Sequence, residues 1–337
     1  MLSRTANAVY WMNRYIERAE SIARFIDVNL LLMMDLPEVT ALHWEALTMT
    51  TGDIELFHQN YKQADQASVI RFLTFDSNNP SSIFSSIRAT RENARSIRET
   101  ISSDMWEQIN TFYLVIKEAK IGSVQHAPHN FFSNIKKECF RFHGALLSTM
   151  SQGEAWHFSQ LGGFLERADK TARILDVLHF MPVLNIPTGS TPLETIQWLA
   201  VLKSVSALDM YRQRYRGIST PRICEFLILD SDFPRSIHHC LIRAQQSLRI
   251  LSGPDQGKRF RNKAERYLGK LHSEMDYCDI EEILEAGLHE FLDRIELNLN
   301  QIDTEIHNTF FAKKEFPDFT SVQTQSQSQK QIFVENN

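Results

Sequence analysis

Apolar side chains recur along most of this chain at the three- and four-residue intervals of an α-helix, and not at the strict alternation of a strand. In the first segment Met12, Tyr15, Ala19, Ile22, Ala23 and Ile26 fall along one side of such a helix, with Tyr10, Phe25, Val28 and Leu32 on or near another. The prolines fall between periodic segments, where a residue that lacks an N–H and blocks the preceding turn belongs in a helical protein. The pattern predicts helices near 3–35, 40–61, 81–121, 130–150, 153–180, 192–216, 235–252, 258–274 and 280–312, with shorter pieces at 67–75 and 221–229. Ser3 and Thr40 are placed to cap, and Pro192 and Pro234 stand at helix starts. From Thr320 the composition shifts to Gln, Ser and Asn, which bury too little to offset chain entropy. Residues 316–337 are therefore expected to be a disordered tail.

Composition narrows the fold class to all-α. With 12 Gly and 10 Pro in 337 residues, turn-rich sandwiches, barrels and propellers are disfavoured, and 43% apolar residues supply a core. A net charge of -5 creates no general field to recruit nucleic acid or an anionic membrane. Arg4, Arg14, Glu17, Arg18 and Glu20 interrupt the N-terminal apolar residues, unlike a secretory leader, and the apolar run Val28 to Met34 ends at Asp35. A cytoplasmic protein that neither spans nor binds a membrane is expected. Cys139, Cys224, Cys240 and Cys278 are dispersed, as reduced core residues would be.

An internal repeat organises the chain. A shift of 154 positions aligns Trp44 with Trp198, Tyr61 with Tyr215, Phe72-Leu73 with Phe226-Leu227, Asp76-Ser77 with Asp230-Ser231, and Pro80 with Pro234. A shift of 149 aligns Glu17-Arg18-Ala19 with Glu166-Arg167-Ala168 and Asp27-Val28 with Asp176-Val177. The expectation is a long-helix bundle built from a duplicated unit, pseudo-twofold, with a first unit at 1–150 and a second at 151–315 packed as one body. Segment 258–312 reads as an addition that closes the second unit.

Each copy of the repeated helix carries a line of charge. Glu17, Glu20, Arg24 and Asp27 share one face, as do Glu166, Asp169, Arg173 and Asp176. Spacing allows Arg24 to pair with Glu20 at i,i+4 and with Asp27 at i,i+3. An ordinary solvated ladder would sit in a wide polar face, whereas apolar residues flank this one. Three readings stay open: a buried ion-pair network, a ligand or catalytic site with Glu17 or Glu166 as general base, and a plain surface ladder. Arg14, Arg18, Arg167 and Arg235 belong to the same candidate network.

A basic stripe, Arg88, Arg91, Arg95 and Arg98, recurs on a second helix face. It either docks on the acidic lines or holds an anion such as a peptide carboxylate or a phosphate, and the first half is favoured over the second, where Arg243 and Arg249 alternate with Gln245 and Gln246. His126 with His129, Cys139 with His143, and His238-His239-Cys240 lack a third ligand at motif spacing, so no metal and no cofactor are expected. Gly253 to Lys258 reads as a turn, one residue short of a phosphate loop. Trp44, Trp106, Trp156 and Trp198 read as core.

The run Leu2-Ser-Arg-Thr-Ala with Tyr10-Trp-Met-Asn-Arg-Tyr-Ile-Glu-Arg-Ala-Glu-Ser-Ile-Ala-Arg24 resembles the bacterial alpha-E family, an all-helical domain known for a Glu-Arg motif. The resemblance continues through Arg91-Glu-Asn-Ala-Arg95 with Trp106, Leu161 to Asp169, Phe226 to Ser236, and Glu281 to Leu292, and covers the chain to about residue 313. Gly163 departs from it, since the family more often has a polar or basic residue there. The resemblance implies partners more than chemistry: such proteins are encoded beside, or fused to, ATP-grasp ligase-like and transglutaminase-like proteins of a peptide synthesis or modification system. It implies an accessory or substrate-binding partner, with an enzyme using a semi-buried Glu as the alternative.

Overall fold

Two long helices, α1 (Ser3–Asp35) and α9 (Glu154–Asp176), lie against each other at the centre of the molecule. This computed structural model describes residues 1–35, 40–180, 192–254 and 260–312. Between the central helices come α2 (Thr40–Thr51), α3 (Ile54–Asn60), α4 (Gln66–Thr74), α5 (Ile83–Ser96), α6 (Ser103–Glu118), α7 (Ile121–His126) and α8 (Pro128–Thr149). After α9 and a 3₁₀ turn at Val177–Phe180 come α10 (Pro192–Ser204), α11 (Leu208–Arg214), α12 (Thr220–Ile228), α13 (Ile237–Leu251), α14 (Lys263–Asp276), α15 (Ile280–Ala286) and α16 (Leu288–Ile306), with a terminal π turn at His307–Phe311. The described residues are helical with no strand, as periodicity predicts.

Helices α5 and α8 pack on α1, and α6 joins them; α13 and α16 pack on α9, and α14 joins those. Helix α10 of the second half lies on α1, and α2 of the first half lies on α9. Apolar side chains from both halves form one contiguous core, including Tyr10, Ile16, Phe72 and Phe142 with Leu165, Tyr211 and Leu241. No helix among the described residues is long and apolar enough to cross a membrane.

Four helical segments of the sequence reading are broken. Segment 40–61 divides where Gly52 takes a φ of +78°, and 192–216 divides where Ser206 takes +55°. Segment 81–121 restarts at Ser102, whose side chain accepts from Met105 N, and 280–312 divides at Gly287, with φ +109°. In each case a left-handed residue or a fresh N-cap ends the hydrogen-bond ladder while the apolar period runs on, so periodicity alone does not see the break. Helix α13 starts at Ile237, two residues beyond the predicted start, because Ser236 accepts from His239 N and caps it. The tail at 316–337 and most of the Gly253 to Lys258 turn lie outside the described residues.

Helices α1 and α9 approach closely because Gly162 and Gly163 lie at their crossing. A Cβ at Gly162 would stand 2.3 Å from Tyr10 O, and one at Gly163 would stand 2.4 Å from Asn13 Nδ2. Asn13 uses that proximity to donate from Nδ2 to Ser159 O at 2.9 Å.

Candidate functional site

The charged lines on α1 and α9 face each other. Arg18 donates from Nε to Glu166 Oε1 at 2.7 Å and from Nη2 to Oε2 at 3.1 Å. Arg167 returns the arrangement, with Nε donating to Glu17 Oε2 at 3.1 Å and Nη2 donating to Oε1. Two guanidinium forks thus cross between the helices in opposite directions, a bidentate geometry that a lysine cannot reproduce. Both glutamates are fully buried, and buried carboxylates persist only where charge and hydrogen bonds replace the lost water.

Further cations complete each cluster. Arg235, from the turn before α13, reaches Glu20 at 2.5 Å, while Arg24 reaches the same carboxylate at 2.6 Å. Arg14 donates to Glu166 at 2.9 Å and to Asp303 at 2.5 Å, and Tyr10 OH donates to Asp303 at 2.6 Å. Lys170 and Arg173 hold Asp169 at 2.8 and 3.1 Å.

Burial pushes the Glu20 carboxyl up, but Arg235, Arg24 and His143 together overcome it and hold it at about 2. Burial likewise raises Asp169, and Lys170 and Arg173 bring it down to about 2. Glu17 is held low against its burial by Arg167, His143 and Arg235, and Glu166 well below the usual range by Arg18, Lys170 and Arg14. His143 goes the other way: burial outweighs Glu17 and Glu20 and favours the neutral ring.

A cavity of about 340 Å³ opens beside Glu17 between α1, α8, α9 and α13. Leu146, Leu147, Trp156 and Phe164 form its apolar wall, and Asn13, Glu17, His143, Gln160, Arg167 and Arg243 bring polar groups to it. Three polar atoms of the lining residues are incomplete. Asn13 Oδ1, Trp156 Nε1 and His143 Nε2 are buried with no hydrogen-bonding partner among the described residues, although His143 Nε2 lies 3.3 Å from Glu17. An unmade hydrogen bond at a buried group costs about 1–3 kcal/mol, so the packing beside this cavity leaves polar groups unmatched.

The Alpha-E family, described as "a predicted alpha-helical domain with a conserved ER motif", matches residues 1–311. The chain belongs to the Alpha-E family. In this chain Glu-Arg-Ala occurs twice, at Glu17-Arg18 and Glu166-Arg167, and those four side chains are the crossed forks between α1 and α9. The chain is also 24% identical to "Uncharacterized protein Mb2597" of Mycobacterium bovis over 332 residues, which takes in 89% of this chain and 36% of that protein. "Uncharacterized protein Rv2567" of Mycobacterium tuberculosis matches with the same identity and coverage. The chain thus spans about a third of the length of these curated relatives. No solved structure matches it significantly.

Within this Alpha-E domain the expected network residues divide. Arg14, Glu17, Arg18, Glu20, Arg24, Glu166, Arg167, Asp169, Arg173 and Arg235 meet in the two clusters. Asp27 and Asp176 lie a turn or two further along. Asp27 is held by His129 at 2.7 Å and Lys136 at 2.6 Å, and Asp176 by His289 at 2.9 Å. The predicted Arg24–Asp27 pair is therefore not made, because Arg24 turns back to Glu20 while His129 and Lys136 of α8 hold Asp27.

The stripe, which runs along α5 with Arg98 in the turn beyond it, does not dock on the acidic lines. Arg91 donates to Asn110 at 2.8 Å and stands over the Tyr113 ring, Arg98 stands over Trp106, Arg88 over Phe84, and Arg95 pairs with Glu92 at 2.6 Å. The reason is the direction of α5: its buried face, with Ile83, Ile87 and Ala94, points to the core, which turns the arginines toward α6 and solvent. Nor do the cavity's arginines come from the first half, as the count of Arg residues favoured; Arg167 and Arg243 belong to the second.

Trp44, Trp156 and Trp198 are core residues, as read, and Trp156 also lines the cavity, whereas Trp106 is half-buried with Arg98 over its ring. Asn13, His143 and Asp303 were missed as site residues. His143 had only its spacing from Cys139 to mark it, and that cysteine turns instead to Ile16 O. Glu17, Glu20 and His143 do bring three ligand-type atoms together, yet Arg24, Arg167 and Arg235 already neutralise the two carboxylates.

Proposed function

We propose that this Alpha-E domain is a non-catalytic binding partner of an ATP-grasp ligase-like and transglutaminase-like peptide system, and that the cavity beside Glu17 receives the end of a peptide or an amino acid. The observation that carries the reading is the lining of that cavity, where amide and guanidinium side chains stand beside an apolar wall. The amide side chains of Asn13 and Gln160 suit an ammonium group. Arg243 on the same lining suits a carboxylate. Against the apolar wall, this is the chemistry of a zwitterion with a side chain. The general-base alternative is less favoured, since carboxylates held ionised by several guanidinium groups are poor proton acceptors.

The asymmetry of the two clusters supports the placement. Under the 149-residue shift Arg14 falls on Gly163, so the guanidinium that fills the space beside Glu166 has no counterpart beside Glu17. The reading rests on the proposed duplication. That proposal is supported by the crossed forks, by the matched helix pairings on α1 and α9, and by a repeated turn: Ser82 Oγ donates to Asp76 O as Ser236 Oγ does to Asp230 O. On this view α14 to α16 are the counterparts of α6 to α8, and 258–312 is part of the repeat instead of an addition.

Two measurements test the function. Isothermal titration with free amino acids and short peptides is expected to find a ligand that Arg243→Ala weakens about tenfold or more, as loss of a hydrogen bond to a charged group does. Co-purification with the cognate ligase-like protein is expected to give a complex. No ligand and no complex would overturn the proposal; turnover of an aminoacyl or peptide substrate that Glu17→Gln abolishes would replace it with the enzyme alternative.

A further inference from the structure

Outside the cavity, three ligand-type side chains converge where α13 meets α14. His238, the second residue of α13, points its Nε2 at Asp276 Oδ1 of α14 at 3.1 Å, and His272 Nε2 lies 3.8 Å from the same oxygen. All three donor atoms fall within 4.8 Å of one another. His272 and Asp276 are one turn apart on α14 and share a face. In a tetrahedral zinc site, metal–nitrogen and metal–oxygen bonds of about 2.0–2.2 Å separate neighbouring donors by roughly 3.3–3.6 Å. The two measured separations bracket that range.

The backbone fixes the ring that matters most. His238 Nδ1 faces Leu229 O at 3.0 Å, and a carbonyl oxygen only accepts, so Nδ1 carries the proton. That leaves the lone pair of the neutral ring on Nε2, aimed at the other two ligands. A carbonyl orienting an imidazole from behind is the usual support of a metal-bound histidine. Asp276 is half exposed, with 43% of its side-chain surface open, which gives an ion an entry path and a fourth position for water.

We propose that His238, His272 and Asp276 form a binding site for a divalent transition-metal ion of the zinc class. Two imidazoles and one carboxylate suit zinc better than magnesium or calcium, which prefer all-oxygen sets. The ion would tie the first turn of α13 to the last turn of α14. The next residue, His239, and Arg243 one turn on both line the cavity beside Glu17, so metal binding stiffens one wall of that cavity. The metal site itself does not depend on the cavity's ligand.

Sequence order hid the site. His238, His239 and Cys240 are contiguous and so point in different directions around the helix: His239 turns to Ser231 O and Cys240 is buried toward Pro234 O. The two missing ligands come from α14, more than thirty residues on.

The test is zinc titration of the untagged, metal-stripped chain by calorimetry, with cobalt absorption as the reporter of coordination. The wild type is expected to bind one equivalent, with the intense visible bands of tetrahedral cobalt and a zinc-dependent rise in melting temperature. His272→Ala and Asp276→Asn, both at partly exposed positions, are expected to bind at least tenfold more weakly and to lose the cobalt bands, while their metal-free melting temperatures report that they fold. His143→Ala is expected to bind as the wild type does. Absence of stoichiometric binding in the wild type, binding unchanged in His272→Ala, or an equal loss in His143→Ala overturns the proposal. These outcomes are independent of peptide binding, which is read separately.

Discussion

Arg18 on α1 grips Glu166 on α9 with a two-bonded fork across 148 residues of sequence. The same helices are joined in reverse by Arg167 and Glu17, so each helix supplies one acid and one base to the crossing. All the carboxylate oxygens involved lie in fully buried side chains, which makes the crossing sensitive to losing a single member.

Truncating one partner strands the other. Glu166→Ala leaves Arg14 and Arg18 without their shared anion, and the expected loss is about 3–5 kcal/mol of unfolding free energy by urea titration. In a double-mutant cycle, Arg18→Ala with Glu166→Ala is expected to cost less than the two single losses added together. Additive losses would mean that the fork is not an energetic unit.

The close approach of α1 and α9 predicts opposite outcomes for two glycines. Gly162→Ala forces a Cβ against the backbone oxygen of Tyr10, and is expected to destabilise by about 1–3 kcal/mol or more. Gly144, inside α8, has nothing within 4 Å of an added Cβ, so Gly144→Ala is expected to stabilise by about 0.5–1 kcal/mol through helix propensity. Thermal melts of the two variants decide it.

Stability should pass through a maximum in mildly acidic solution. Glu20 and Asp169 titrate at about 2 in the fold, against ordinary values of 4.5 and 3.8. As pH falls, the unfolded chain takes up those protons first, so their contribution is complete above about 4.5 and drains away toward about 2. Glu296 behaves oppositely. Burial, helped by Asp169 and Asp176, outweighs Arg173 and raises it to about 7. Its contribution is therefore full below about 4.5 and is lost as pH rises toward about 7. A pH series of melting temperatures on wild type and Glu296→Gln checks this, since the substitution is expected to flatten the slope between about 4.5 and 7.

The stripe on α5 should matter little to the site. Arg95 pairs with the partly exposed Glu92, and its own side chain is 65% exposed, so Arg95→Ala is expected to change stability by less than about 0.5 kcal/mol. Arg98→Ala removes a cation from the Trp106 face and should cost about 0.5–1 kcal/mol. Neither substitution is expected to alter ligand titrations; a large effect on them would place an anion site on α5 after all.

Much of this molecule was legible along the chain because the relevant physics is local. Helix positions follow from the apolar period and the caps, and the acidic lines on α1 and α9 follow from i,i+3 and i,i+4 spacing between apolar flanks. The apolar period crosses Gly52, Ser206 and Gly287 without interruption, so helix breaks there required the backbone itself. The Arg88 to Arg98 stripe had the right chemistry to meet those acids, yet the buried face of α5 turned it away.

What the residues determined alone was that Glu17, Glu20, Glu166 and Asp169 sit among apolar neighbours and therefore need partners. Tertiary structure decided which partners they take, because a carboxylate pairs with whatever cation the helix crossing brings within about 4 Å, whatever the distance along the chain. Arg167 comes to Glu17, Arg18 to Glu166 and Arg235 to Glu20 for that reason. The cavity depends on three dimensions in the same way: Arg14 packs against Glu166 at the crossing, and beside Glu17 the side chains that α1, α8, α9 and α13 bring together leave a space.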